Sequence, residues 1–152
     1  MANTAGVSNN FKHEAMSGIH ALGTTVIRAA TTADTVKAAL YLASATINNT
    51  TAAYTATGEC PVVGGYVAGG VTVTNATAPS LDTNTGIWTP SASIVFSNIT
   101  PAGNVDTILL YNSTQSNKSI EVCTFTAQNP VAASLTLTMP SNSAAAALLR
   151  IA

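Results

Sequence analysis

From Asp34 to the end of the chain, turn-forming residues recur roughly ten residues apart, and β-prone stretches lie between them. No helical pattern long enough for a crossover separates those stretches, which disfavours a parallel βαβ fold. The cadence instead predicts a mainly β protein: an antiparallel β-sandwich of jelly-roll type with about eight strands. Val36, Ala38, Leu40 and Leu42 alternate with Lys37, Ala39, Tyr41 and Ala43. Asn48-Asn49 marks a turn, and Thr51 to Thr57 reads as a β-prone return. Gly64-Gly65 and Gly69-Gly70 bracket Tyr66 and Val67 ahead of Val71 to Thr74. Asp106 to Tyr111, Ile120 to Ala127 and Leu148 to Ile151 supply further strands.

Two alternating faces are candidates for the core. Residues 87–97 read as one strand carrying Trp88, Pro90, Ala92, Ile94 and Phe96 on one side, with Pro90 suggesting an edge or a bulge. Leu135, Leu137 and Met139 alternate with Ser134, Thr136 and Thr138. A sandwich needs inward faces from both of its layers, so these two are expected to meet.

Residues 1–33 differ from the rest. The first ten are small and polar and read as an extended arm. Phe11, Ala15, Ile19 and Leu22 then recur at helical spacing, which predicts a short helix over 11–22 with Gly23 as its stop. The expected organisation is an N-terminal arm and helix over 1–33 and a jelly-roll domain over 34–152. One domain suits this length.

Charge is scarce: 7% of the 152 residues are Asp, Glu, Lys or Arg, against about 25% in an ordinary soluble domain. Thr, Ser and Asn supply the polarity. Such a surface is wettable yet adheres to other neutral polar surfaces, and it suits a protein docked against neighbours in an assembly. The five cations, Lys12, Arg28, Lys37, Lys118 and Arg150, are scattered, so direct nucleic-acid binding is not expected. No apolar run reaches the roughly 18–20 residues of a membrane-spanning helix. The first residues have neither the basic region nor the apolar core of a signal peptide. Synthesis in a cytoplasm is therefore expected, with Cys60 and Cys123 as free thiols, although spacing leaves a pairing between them open.

Searching for chemistry returns little. His13-Glu14 invites a zinc reading, but the next histidine, His20, stands seven residues on, about 10 Å along a helix. A zinc ligand pair needs i, i+4 spacing. No Gly-x-Ser-x-Gly elbow is present, and the glycine pairs are followed by no Lys-Ser or Lys-Thr of a phosphate loop. Asp34 and Asp106 each precede Thr near a strand start, where turn capping is the ordinary role. Trp88 reads as a core or interface anchor before a ligand platform. No catalytic residue, metal or cofactor is expected.

A resemblance is carried by Ser8-Asn9-Asn10-Phe11-Lys12-His13-Glu14, Gly18-Ile19-His20 and Val36-Lys37-Ala38-Ala39-Leu40-Tyr41. It continues through Ala53 to Glu59, Gly69 to Val73, Trp88-Thr89-Pro90 and Leu110-Tyr111-Asn112. Across most of its length the chain resembles small virion proteins of tailed bacteriophages. The best-understood of these are capsid cement (decoration) proteins, some of them jelly rolls bound outside a shell of HK97-type major capsid protein. The resemblance implies a structural role on the capsid surface, with the major capsid protein as partner, and it carries no catalytic residues. Self-association as a dimer or trimer is expected of a bridging protein. Phe11, Lys12 and Met16 are the expected capsid or subunit contacts. A tail, head–tail or head-fibre-base component is the alternative virion role, and a carbohydrate-binding jelly roll the alternative outside it.

Overall fold

A computed structural model of the chain describes residues 3–8, 11, 15, 18–20, 22–23, 32–61, 64–83 and 85–151. Among these the fold is mainly β, and every strand pairing is antiparallel. The largest sheet has five strands in the order β1 (Gly6–Val7), β8 (Lys118–Gln128), β7 (Val105–Asn112), β2 (Val36–Leu42) and β3 (Val71–Thr72). A three-stranded sheet is ordered β10 (Leu149–Ile151), β5 (Thr85–Trp88), β4 (Ser80–Asp82). A two-stranded sheet joins β6 (Ile94–Ile99) to β9 (Ala133–Leu137).

The centre of the large sheet is buried on both faces. β2 and β7 pair from Val36↔Asn112 to Leu42↔Val105, and both are rich in the aliphatic residues that pack well on a pleated surface. One face presents Val36, Ala38, Leu40, Ile108 and Leu110. The two smaller sheets pack on it through Trp88, Ile94, Phe96, Leu135 and Leu149. The other face presents Ala39, Tyr41, Leu109, Tyr111 and Val122, covered by Ala45, Ile47 and Tyr54. Each large aliphatic side chain so buried contributes about 1.5–3 kcal/mol. An antiparallel sheet often leaves one face wet. Here the connection from β2 to β3 folds back over the second face.

That connection also completes the outer edge of β2. The Cys60 amide donates to the Leu40 carbonyl at 2.8 Å, and the Leu42 amide to the Gly58 carbonyl at 3.0 Å. Gly70 then passes so close to β2 that a β-carbon there would stand 1.7 Å from the Ala38 carbonyl oxygen, and its φ is +70°. Only glycine fits such an approach in that conformation. Thr51 to Thr57, expected as a strand, is instead irregular backbone with one isolated bridge, Ala53↔Lys118.

The stretch expected as a single strand over 87–97 is two strands in different sheets. β5 ends at Trp88 and β6 begins at Ile94. Pro90 lies in the break, lacking the amide a ladder would use. Ala92 is consequently exposed, not inward. Trp88, Ile94, Phe96 and Leu135 do share one core, with Leu137 and Met139 packed at its margin.

The N-terminal segment is not outside the strand set. β1 pairs with β8 through Gly6↔Val122 and Val7↔Glu121, and the Ser8 amide donates to the Ile120 carbonyl at 3.1 Å. Asn3 ties two further elements: its Oδ1 accepts from the Ile47 amide and its Nδ2 donates to Asp106, both at 2.8 Å. The helix expected over 11–22 appears as helical backbone at Phe11 and Ala15. Gly18, at φ +69°, sits in a turn in which its amide donates to the Ala15 carbonyl. Ile19, His20 and Leu22 are non-helical, and the remaining residues of that helix lie outside the described ones.

Candidate docking cleft

Pairing in the three-stranded sheet sets Leu81 opposite Gly86 and Gly86 opposite Ile151. Directly paired residues share a face, so two aliphatic side chains flank a position with none. Leu81 is 72% and Ile151 49% exposed. The gap between them opens into an apolar cleft of about 390 Å³, lined also by Phe11, His20, Leu22 and Trp88. Trp88 is almost fully buried. Its Nε1 donates to Asn75 Oδ1 and to the Thr77 carbonyl, each at 3.0 Å. Asn75 in turn donates to the Leu22 carbonyl, which links Leu22 to Trp88.

Of the expected contact residues, Phe11 is 2% exposed and belongs to the core as well as to this lining. Lys12 and Met16 lie outside the described residues, as do His13 and Glu14. The His20 ring packs on Phe11 with centroids 4.9 Å apart. Its Nδ1 lies 3.2 Å from Asn112 Nδ2, which also donates to Asp34 at 2.8 Å. Asp34 accepts from Gln115 as well, at 3.3 Å. It therefore does more than cap a turn: it clamps the end of β7 to the segment entering β2.

A second polar cluster has no local sequence signature. All four tyrosines of the chain surround Glu59. Tyr54 donates to its Oε2 at 2.6 Å, Tyr66 to its Oε1 at 2.6 Å, and the Gly69 amide to Oε1 at 2.7 Å. Tyr41 bridges to it through the backbone, and Tyr111 stacks on Tyr54 at 4.9 Å while donating to the Gly69 carbonyl. Burial, then the hydrogen bond to the Glu59 carboxylate, pushes the Tyr54 and Tyr66 hydroxyls well above their ordinary range. They remain protonated donors and cannot serve as bases. The carboxylate is thus a buried anchor saturated by its own surroundings. One hint was present in the sequence: Glu59 is the lone charge between Lys37 and Asp82.

Three further groups, Cys60, Cys123 and Glu121, are pushed toward their neutral forms. Burial pushes the Cys60 thiol up to about 11 and Cys123 to about 12, away from thiolate chemistry. Both are free thiols. Burial likewise pushes Glu121 up to about 8, against a smaller opposing pull from Arg150, and its Oε2 is sealed from solvent with no hydrogen-bond partner. Among the described residues no three His, Cys, Asp or Glu side chains converge as a metal site. The arrangement offers recognition by shape and apolar contact at the cleft. No protein-family profile matches the chain, and neither a curated protein nor a solved structure matches it.

Proposed function

We propose that this chain is a structural virion protein of the capsid cement type, binding the outside of an HK97-type shell and bridging neighbouring capsomers without catalysis. One observation carries the reading: a surface with very little charge. The sequence holds only six acids, and Asp34 and Glu59 are buried while Glu121 is largely so. The outward faces of β6 and β9 present Val95, Ser97, Ser134 and Thr136. Such a surface docks without the desolvation cost of burying unpaired ions. The resemblance to small phage virion proteins points the same way. Within this reading the sheets form a jelly-roll-type sandwich, and the shell contact lies at the cleft lined by Phe11, where Leu81 and Ile151 are presented; Lys12 and Met16 are the further contacts proposed from the sequence. Cement multiplies over a shell, so the protein is expected in purified virions at a stoichiometry comparable to the major capsid protein. A copy number on the scale of a connector ring, or location in the tail, contradicts the proposal. Gly86→Phe, which fills the cleft, should weaken binding to purified shells lacking the protein.

A further inference from the structure

Among the described residues, no strand covers the outer edge of β9: its one strand partner is β6, so the other side of Ala133–Leu137 carries an unpaired row of backbone donors and acceptors. Natural proteins blunt such edges with charge, Pro or bulges, Lys above all. Ala133–Leu137 holds neither a charge nor a Pro, and the bulge in its ladder lies on the β6 side, between Phe96 and Ile99. From Val122 to Leu149 the chain contains no Asp, Glu, Lys or Arg. Leu135 points into the core, while Ser134 and Thr136 stand outward and exposed. Beside them, Val95 is 42% and Val131 73% exposed.

We infer that β9 pairs antiparallel with β9 of a second copy of this chain, about a two-fold axis, so that two β6–β9 ribbons become one four-stranded sheet. A two-fold contact sets a surface against itself. A strand carrying charges of one sign would therefore meet the same sign across the seam, a cost that a neutral strand escapes. Centred on Leu135, the pairing brings Ser134 of one copy across from Thr136 of the other, and hydroxyl pairs of this kind are favourable cross-strand neighbours. The ladder itself supplies backbone hydrogen bonds that the free edge gives to water. A stable contact takes about 800 Å² from each partner, roughly a ninth of the 7260 Å² surface of the chain. The adjoining Val95 and Val131 extend the apolar part of that area. The geometry stands on the strand edge alone, but its purpose, engaging two capsomers at once, rests on the cement reading.

The test is sedimentation of the intact chain over a wide concentration range, without shells. The wild type should self-associate to a dimer. Thr136→Lys should weaken the dimer about tenfold or more, because it sets a charge into the neutral seam twice. Adding Ser134→Glu to Thr136→Lys should restore it, since the two-fold places position 134 against position 136. Ser97→Lys, on the same outer face but on β6, should leave it unchanged and reports whether a surface lysine harms the fold. A wild type that stays monomeric, a Thr136→Lys dimer of unaltered strength, or equal loss with Ser97→Lys overturns the pairing. Shell binding is measured separately, so a monomer that still binds shells contradicts the pairing alone, whereas a dimer that ignores them contradicts the cement reading alone.

Discussion

Tyr66 donates its hydroxyl proton to Glu59 at 2.6 Å while accepting from the Leu40 amide at 3.0 Å. One buried oxygen thereby joins the connection that covers the large sheet to the backbone of β2. Tyr66→Phe leaves the Leu40 amide without that partner and removes one donor from a buried carboxylate. Loss of such a partner costs about 1–3 kcal/mol, more where a charge is involved. Urea unfolding should show a loss in this range, and a smaller one for Tyr54→Phe, whose ring is only partly buried. Equal, negligible losses would contradict the anchoring role of Glu59.

Glu121 should make the fold less stable as pH rises. Its folded value of about 8 lies above the ordinary 4.5, so the folded chain keeps a proton that the unfolded chain releases. Stability from this group is full below about pH 4.5, falls through the interval to about 8, and then levels. At about 1.4 kcal/mol per pKa unit, the loss is on the order of a few kcal/mol. Glu121→Gln should flatten that slope and raise the urea midpoint at pH 8.5 more than at pH 5. A wild-type midpoint that rises across this interval, or a variant with the same slope, contradicts the account.

Two glycines should respond oppositely to a methyl group. Gly70→Ala drives a β-carbon into the Ala38 carbonyl at positive φ, and the protein should fail to accumulate in folded form. At Gly86 an added β-carbon would stand 3.7 Å from the Ile151 carbonyl oxygen, an ordinary contact, and φ lies outside the left-handed region. Gly86→Ala should therefore be neutral or stabilising by up to about 1 kcal/mol. Thermal melts of the two variants check this.

Phe96→Ala should cost about 3–5 kcal/mol, since the ring is 1% exposed and packs near Tyr66. Ala92→Ser, four residues earlier on the same expected face, should change stability by no more than about 0.5 kcal/mol. A large effect at Ala92 would contradict the break between β5 and β6.

The difference between those two positions marks how far the sequence can be read. Period-two alternation located β2, β9 and the Ile94–Phe96 face, because burial on one side leaves a repeating trace along a strand; β7, buried on both faces, showed only as an apolar run between turn signals. It did not separate β5 from β6, since Trp88, Ala92, Ile94 and Phe96 keep the right parity across a break that Pro90 only hinted at. The helical spacing of Phe11 and Ala15 ran on to Ile19 and Leu22, where the backbone is non-helical and Gly18 makes a turn. The Glu59 cluster was hidden for a different reason. It assembles side chains from positions 41, 54, 66 and 111, and hydrogen bonding across such distances leaves no period. The cleft depends on Leu81, Gly86 and Ile151 standing side by side, a relation that exists only once β4 and β10 have paired with β5.

The most direct test of the proposed role is DNA retention by virions prepared with and without this protein, followed during heating and during chelator treatment. A cement protein adds buried contact across capsomer junctions that packed DNA strains. Particles lacking it should release their DNA at lower temperature, and added purified protein should restore retention. Particles that hold their DNA as well without the protein as with it would contradict the cement reading.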